Sequence, residues 1–155
     1  MNLYIGIDLG TSAVKLLLMD ELGEIKNVIS KEYSLEFPKP GWSQQNPEDW
    51  RKAILEGIPE LLTGFDGASV AGIGCGGQMH GLVILDENDN VIRPAILWND
   101  GRTAAQVDYL NNEVGKEKLS GMTANIAFAG FTAPKILWVR ENEPENFARI
   151  AKIML

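Results

Sequence analysis

The chain has 155 residues, which is enough to bury a real core in one domain and rules out a peptide or a disulfide-stapled miniprotein. A hydrophobic fraction of 45% and a mean hydropathy of −0.06 are typical of a soluble globular chain. The formal net charge is −7 and no Lys/Arg cluster occurs, so binding to nucleic acid or to an anionic membrane is not expected.

The single cysteine and the sequence of the N-terminus favour a cytoplasmic location. Cys75 has no partner for an intramolecular bridge, and it is expected to be a small buried residue. The sequence enters a strand directly, without a signal peptide's charged and apolar regions, which favours the cytoplasm. No apolar run reaches the length of a membrane span, so no membrane partner is expected.

The first third of the chain predicts a β-meander. Extended, β-branched segments predict strands from Leu3 to Asp8, from Val14 to Asp20 and from Ile25 to Tyr33. The segment FPKPG (37–41) cannot stay in a β-ladder because its two prolines lack a donor N–H, so it is predicted as a surface loop.

The turn inside the first hairpin has the residues of an anion site. Gly10 allows the N–H groups of Thr11 and Ser12 to approach an anion closely. Asp8 is a carboxylate beside that loop, which is chemically sensible if a cation lies between them, so Mg²⁺ with a nucleotide is the natural expectation. In a plainer interpretation, Asp8 and Thr11 only bond the backbone of the turn.

A helix and a crossover strand follow. Asn46 is predicted to cap the helix, Pro47 to open its first turn, and apolar spacing to carry it to about Leu62, with Pro59 expected to kink it or end it early. A short buried strand is predicted from Ser69 to Gly74. This strand, helix, strand order predicts an α/β fold with a mixed sheet, antiparallel at the front and parallel at the crossover.

The crossover strand opens into GCGGQMHG (74–81), which contains four glycines and the only histidine. The glycines let a backbone or a ligand come close. Gln78 and His80, with Met79 between them, would lie at a strand end, where open α/β folds bind ligands. A lone histidine is also commonly a buried structural residue that bonds a carbonyl, and both interpretations stay open. The histidine and the cysteine are not at metal-ligand spacing.

A third informative segment is WNDGR (98–102). Trp98, Asn99, Asp100 and Arg102 place a flat apolar face beside amide, carboxylate and guanidinium groups, which suits a polyol or a sugar. In the alternative, Asn99 and Asp100 are turn residues, Asp100 caps the next helix and Trp98 lies in the core. The two interpretations can hold together.

The last third of the chain is predicted to be mainly helical. Helices are expected from Thr103 to Asn111 or Val114, from Pro134 to Glu141, and from Pro144 onward, with a loop with short turns between Leu119 and Phe131. Residues 148–155 are predicted as a helix that runs into a strand. A domain seldom ends on an apolar, strand-like run, so the sequence is expected to be cut in mid-fold.

Five segments match, in order, the motifs of a known enzyme family. They are YIGIDLGTS (4–12), PKPGW (38–42), GQMH (77–80), ILWNDGR (96–102) and GFTAPK (130–135). Together they resemble the FGGY sugar kinases, most of all the xylulokinase branch, and the resemblance covers Leu3 to Leu155. It implies a ribonuclease-H-like fold of the actin and hexokinase type.

The resemblance also implies a reaction, the transfer of a phosphoryl group from ATP to a hydroxyl of a ketopentose, most simply D-xylulose. Mg²⁺ screens the phosphates in such transfers, and a carboxylate takes the hydroxyl proton. By resemblance, Asp8 lies near Mg²⁺ and the transferring phosphoryl group, and Gly10, Thr11 and Ser12 lie near the phosphates. The residues that would contact or wall the sugar are Gln78, Met79, His80, Trp98, Asn99, Asp100 and Arg102.

The resemblance is to one part of a larger enzyme. FGGY kinases have a second domain that carries the catalytic Asp base and most of the adenine pocket, so residues 1–155 are expected to be an N-terminal domain that turns over essentially no sugar alone. The expected partners are a small-molecule sugar, ATP and that C-terminal domain, and a homodimer is left open. The alternatives are another sugar of the same family (L-ribulose, gluconate or glycerol) and a non-catalytic sugar- or nucleotide-binding module on the same fold.

Overall fold

Strands dominate the first half of the chain and helices the second. The computed structural model describes residues 1–155. In chain order the strands are β1 (Leu3–Leu9), β2 (Ala13–Asp20), β3 (Ile25–Glu32), β4 (Gln44–Gln45), β5 (Val70–Gly77), β6 (Val83–Leu85), β7 (Ala95–Ile96) and β8 (Lys152–Met154). The α-helices are α1 (Pro47–Leu61), α2 (Ala104–Asp108), α3 (Lys116–Thr123), α4 (Thr132–Asn142) and α5 (Pro144–Ala148), with a 3₁₀ turn at Gly67–Ser69 and a π-helical segment at Tyr109–Gly115.

These elements form two structural units. The first unit comprises Met1–Leu35 and Glu48–Gln78, and the second comprises Glu36–Pro47 and Met79–Leu155. The first unit contains a four-stranded sheet in the order β3-β2-β1-β5. β1 and β3 are antiparallel to β2, whereas β5 is parallel to β1. The predicted meander with a parallel crossover strand is therefore confirmed.

Alternate residues of β1 and β2 fill the core of the first unit, as the pleat of a strand requires. The buried members of this core are Leu3, Ile5, Val14, Leu16, Leu18, Ala53 and Leu61. Gly57 of α1 packs directly on Leu16, and a Cβ at position 57 would lie 2.4 Å from Leu16 Cδ1, so the missing side chain lets the helix approach the sheet. Pro59 lies in the last turn of α1, which ends at Leu61.

The prediction that the crossover strand is short and buried is wrong. β5 extends to Gly77, so the glycines from 72 to 77 are part of the strand, and most of its residues are exposed. The reason is its position, since β5 is the last strand of the sheet and pairs on one side only. For the same reason Cys75 is exposed rather than buried.

The second unit is built from two small antiparallel sheets and the C-terminal helices. β4 pairs with β7, and β6 pairs with β8, the predicted final strand. A β-bridge between Leu82 and Ile96 connects the segments of β6 and β7. The buried core of this unit consists of Leu82, Ile84, Ile96, Trp138 and Val139.

The helical region differs from the prediction in four places. The helix predicted from Thr103 is a five-residue α-helix that continues as the π-helical segment Tyr109–Gly115, and α5 ends at Ala148. α3 covers Lys116–Thr123, although the sequence predicts a loop from Leu119 onward, and α4 begins at Thr132 rather than at Pro134. No residue of α3 is buried. The helix therefore has no apolar face whose spacing in the sequence would predict it. None of the helices in the chain is both long and apolar enough to cross a membrane.

Candidate functional site

The turn between β1 and β2 presents an exposed carboxylate at the end of the first hairpin. Asp8 lies near the end of β1, opposite Lys15 in the antiparallel register. The N–H of Gly10 donates to the carbonyl of Ala13 at 3.0 Å, and a Cβ on Gly10 would lie 3.0 Å from the same oxygen. A glycine at position 10 avoids this tight contact, and its φ does not lie in the left-handed region.

Thr11 and Gln78 meet in the first unit although they are 67 positions apart. Thr11 Oγ1 donates to Gln78 Oε1 at 3.3 Å, and the N–H of Gln78 donates to the carbonyl of Leu9 at 3.0 Å. The parallel pairing of β1 with β5 explains the meeting, because the carboxyl ends of parallel strands lie at the same edge of a sheet. Asp8, Thr11, exposed Ser12 and Gln78 thus share one edge of the first unit.

Tyr33 braces the same turn and is not among the site residues predicted from the sequence. Its hydroxyl donates to the carbonyl of Gly10, and its N–H donates to the carbonyl of Ser12 at 3.2 Å. Burial raises the pKa of Tyr33 to about 12, and the negative charge of Asp8 contributes in the same direction. The hydroxyl therefore stays protonated, as a donor, through the neutral range.

In the second unit, Met79 and His80 form a distinctive turn. Met79 is 67% exposed. His80 has a φ of 63°, in the left-handed region, which costs a non-glycine residue on the order of 1 kcal/mol and persists only where surrounding contacts enforce it. Its ring stacks on Phe131, with 4.5 Å between the ring centroids and 30° between the planes. His80 is half-buried, so it is not the fully enclosed structural histidine of the alternative interpretation.

Lys135 holds this turn through hydrogen bonds from its buried side chain. Its side chain is completely buried, and Nζ donates to the backbone carbonyls of His80 and Gly130. Burial lowers the pKa of Lys135 to about 8; the nearby Asp100 opposes the shift and Arg102 adds to it. Lysine is almost never fully buried without a partner, so its burial on the inner face of α4 is unexpected from the sequence alone.

A cavity of about 380 Å³ borders His80 in the second unit. Its walls are mainly apolar and include Leu110, Ile126, Phe131 and Pro134. The imidazole and the neutral polar side chains of Thr123, Asn125 and Thr132 also line it, and a few polar groups on an apolar wall can orient a small polar ligand.

The segment 98–102 separates into exposed and buried residues. Trp98 is 48% exposed and Asn99 is also exposed, so the alternative that Trp98 lies in the core is wrong. Asp100 is 2% exposed, and its carboxylate accepts from the N–H of Ser43 at 2.6 Å. Asp100 does not cap the next helix, because its oxygens are engaged by Ser43 and Arg102, and Thr103 occupies the cap position without a side-chain cap bond.

Asp100 and Arg102 form a buried ion pair. Nε and Nη2 of Arg102 donate to the two carboxylate oxygens at 2.9 and 2.8 Å, which is bidentate geometry. The guanidinium lies 3.9 Å from the ring centroid of Trp42 and 5.0 Å from that of Trp138. The charges of this pair hold the loop in place and are shielded from solvent by aromatic rings.

The site residues predicted from the sequence therefore fall into two groups, one in each structural unit. The first unit carries Asp8, Gly10, Thr11, Ser12 and Gln78, and the second carries Met79, His80, Trp98, Asn99, Asp100 and Arg102. No group of three or more His, Cys, Asp or Glu side chains is arranged to hold a metal ion. Tyr33 and Lys135 support these segments and are not among the site residues predicted from the sequence. The one signal for Lys135 was its place in the GFTAPK segment, next to glycine and aromatic residues.

Comparison with known proteins places this arrangement in a family. The N-terminal domain of the FGGY family of carbohydrate kinases matches residues 3–155. The xylulose kinase of Lactococcus lactis is 48% identical over the whole chain, which spans 31% of that relative. A solved xylulose kinase from Rhodospirillum rubrum superposes with a TM-score of 0.92 at 29% identity, covering 98% of this chain and 32% of that one. A solved gluconate kinase from Lactobacillus acidophilus gives a TM-score of 0.88 at 28% identity, covering 99% of this chain and 31% of that one.

The chain spans about a third of the length of the curated relatives that it matches. Its mixed sheet and its structural neighbours show the actin- and hexokinase-like fold that the sequence motifs implied. The match over nearly all of the residues shows that this chain belongs to the FGGY family of carbohydrate kinases.

Proposed function

We propose that the chain is the N-terminal domain of an ATP-dependent kinase that converts D-xylulose to D-xylulose 5-phosphate. The observation that carries the proposal is the 48% identity to the Lactococcus lactis xylulose kinase over the whole chain. In the reaction a sugar hydroxyl oxygen forms a bond to the γ-phosphorus of ATP, the bond from that phosphorus to ADP breaks, and the hydroxyl proton passes to a carboxylate. The proposed enzyme acts in xylose metabolism in the cytoplasm.

The proposal requires residues beyond position 155. The chain spans 31% of the relative that carries the argument, and it offers no buried carboxylate free to act as the base in the second unit, where Asp100 is paired with Arg102. A second, C-terminal domain would supply the base and most of the adenine pocket. We therefore expect the purified 155-residue chain, free of host kinases, to release no ADP with D-xylulose, and measurable release would contradict this part of the proposal.

The first unit would serve the phosphates. The N–H groups of Thr11 and Ser12 follow a glycine in a tight turn, which is the arrangement of an anion-binding loop. The donor set fits Mg²⁺, because that ion keeps several waters and binds one or two carboxylates together with substrate phosphates, and Asp8 is a single exposed carboxylate beside the turn. Asp8 would hold the ion, which when bound would screen the charge of the phosphates.

The second unit would bind the sugar. Met79, Trp98 and Asn99 are exposed, and they offer two apolar surfaces and an amide. The half-buried imidazole of His80 adds a hydrogen-bonding group. Asp100 and Arg102 would form the wall of the pocket through their ion pair, which fixes the backbone that carries Trp98 and Asn99. Gln78, which accepts a hydrogen bond from Thr11, directly precedes Met79 in the chain and would have a supporting role.

A substitution of Asp8 separates a kinase from a binding module. In the longest polypeptide that this reading frame encodes, Asp8→Asn is expected to lower kcat for D-xylulose by about a hundredfold or more, the usual effect of removing one group that stabilises transition-state charge. The dissociation constant for D-xylulose should stay within about threefold, because Asp8 is not among the residues proposed to contact the sugar.

The matched control is Asp108→Asn, which neutralises an exposed carboxylate on α2 and should leave both quantities unchanged. If the unsubstituted protein binds the sugar but shows no turnover, the proposal of a kinase is overturned in favour of a binding module. Equal turnover by the Asp8→Asn and Asp108→Asn proteins would remove Asp8 from the mechanism.

A further inference from the structure

Lys135 stands where an apolar side chain would ordinarily pack. It lies in the first turns of α4, is completely buried, and shares that helix with the core residues Trp138 and Val139. Removing an ammonium group from water carries a large desolvation penalty, which an apolar residue of similar length would avoid. We therefore expect the ammonium group of Lys135 to have a role beyond filling space in the core.

The hydrogen bonds of Lys135 join two backbone segments that present one aromatic stack. Nζ donates to the carbonyl of His80 and, at 2.7 Å, to the carbonyl of Gly130. His80 has the left-handed backbone, and its ring stacks on Phe131, the residue after Gly130. One side chain thus fixes the strained backbone on one side of the stack and the chain next to the other side.

Gly130 lies against the second segment of the candidate site. A Cβ at position 130 would lie 2.6 Å from the carbonyl oxygen of Trp98, so the two backbones are in close contact. The lysine consequently connects, through Gly130, to the exposed Trp98 as well as to His80 and its neighbour Met79.

We propose that Lys135 is a positioning residue for sugar binding, which holds the backbone of His80 and Gly130 so that Met79, His80 and Trp98 keep the spacing that the sugar needs. This inference rests on the proposed function, in which those residues contact the sugar. Lys135 touches neither the sugar nor the phosphates. Its burial lowers its pKa to about 8, so the charged form, which makes the stronger hydrogen bonds, prevails at neutral pH.

The test replaces Lys135 by methionine, which has similar length and no donor, in the longest polypeptide of this reading frame. Lys135→Met is expected to raise KM for D-xylulose roughly tenfold and to change kcat by less than about threefold, because ground-state placement of the sugar is what is lost. Val139→Ala is the matched control. Val139 is buried one turn further along α4, so the substitution removes packing but no hydrogen bond to the His80 carbonyl. Its KM should stay within about twofold.

Hydrogen–deuterium exchange without sugar gives a second readout that does not depend on the kinase activity. The peptide covering residues 78–82 should exchange faster in Lys135→Met than in Val139→Ala at matched stability. Unchanged KM together with unchanged exchange in this peptide would overturn the inference. If Lys135→Met and Lys135→Arg both fail to fold where Val139→Ala folds, Lys135 is a determinant of the fold and the positioning role is likewise overturned. Absence of D-xylulose turnover before substitution would contradict the proposed function, and the exchange experiment would then decide the role of Lys135 alone.

Discussion

The hydroxyl of Tyr33 donates a hydrogen bond to the backbone carbonyl of Gly10. The N–H of the same residue donates to the carbonyl of Ser12, so one residue just beyond β3 holds both sides of the hairpin turn. This turn carries the N–H groups that we propose to face the phosphates. A turn braced in this way needs little reorganisation when an anion binds, which is the general advantage of preorganisation.

Tyr33→Phe removes the hydroxyl and keeps the ring. At pH 8 it should lower the free energy of unfolding by about 1 kcal/mol, the typical net value of one hydrogen bond, as measured by urea denaturation. The folded-state pKa of Tyr33 is about 12, above the value of about 10 for an unfolded tyrosine, so its contribution is complete below pH 10 and is lost as the pH rises toward 12. The difference between the parent protein and Tyr33→Phe should therefore shrink between pH 10 and pH 12.

The control for Tyr33 is Tyr109→Phe, which alters an exposed tyrosine in the second unit. If the two variants have the same stability at pH 8 and the same pH dependence, the hydrogen bond to Gly10 does not brace the turn.

The buried pair of Asp100 and Arg102 predicts a large effect from one small change. Asp100→Asn leaves the guanidinium of Arg102 uncompensated between two tryptophan rings, and breaking a buried pair in this way costs about 3–5 kcal/mol. Urea denaturation should show this loss. The same substitution at exposed Asp108 should change the stability by less than about 0.5 kcal/mol. Equal stabilities for the two variants would mean that the pair contributes nothing to holding the loop.

Gly130 links the stability of the second unit to the proposed sugar site. In Gly130→Ala the new Cβ meets the backbone oxygen of Trp98, which cannot rotate away as a side chain could. The expected result is a loss of about 1–3 kcal/mol in stability and a rise in KM for the sugar, as the Trp98 loop shifts.

A glycine in open space provides the comparison for Gly130. A Cβ at Gly121, in α3, has nothing within 4 Å, and alanine there should stabilise the helix by about 0.5–1 kcal/mol without altering KM. A Gly130→Ala protein with unchanged KM would show that the contact with Trp98 does not control the sugar site.

The parts of the fold that the sequence predicts correctly depend on local signals. β-branched alternation and glycine turns predict the meander, and the Asn46-Pro47 pair predicts the start of α1 within one residue. The exposure of β5 could not be inferred in this way, because it depends on which strands lie beside it in the sheet. α3 was missed because it buries no apolar face.

In the candidate site, too, local signals are visible in the sequence, whereas contacts between distant residues are not. Asp8, Thr11 and His80 stand out because each has a glycine within two positions, which is visible in the sequence. The bond between Thr11 and Gln78 joins residues 67 positions apart, and only the register of β1 with β5 reveals it. Lys135 was missed because lysine is normally a surface residue, so its identity gave no indication that it would be buried beneath His80.

The most direct test of the account is coupled ADP production by the longest polypeptide of this reading frame, with D-xylulose, L-ribulose, gluconate and glycerol as separate substrates. A mock purification from the same host without this gene corrects for contaminating kinases. We predict a kcat/KM for D-xylulose at least about tenfold above that for each other sugar, a difference of about 1.4 kcal/mol in transition-state binding. A folded protein that phosphorylates another of these sugars better, or none of them, would contradict the assignment to D-xylulose.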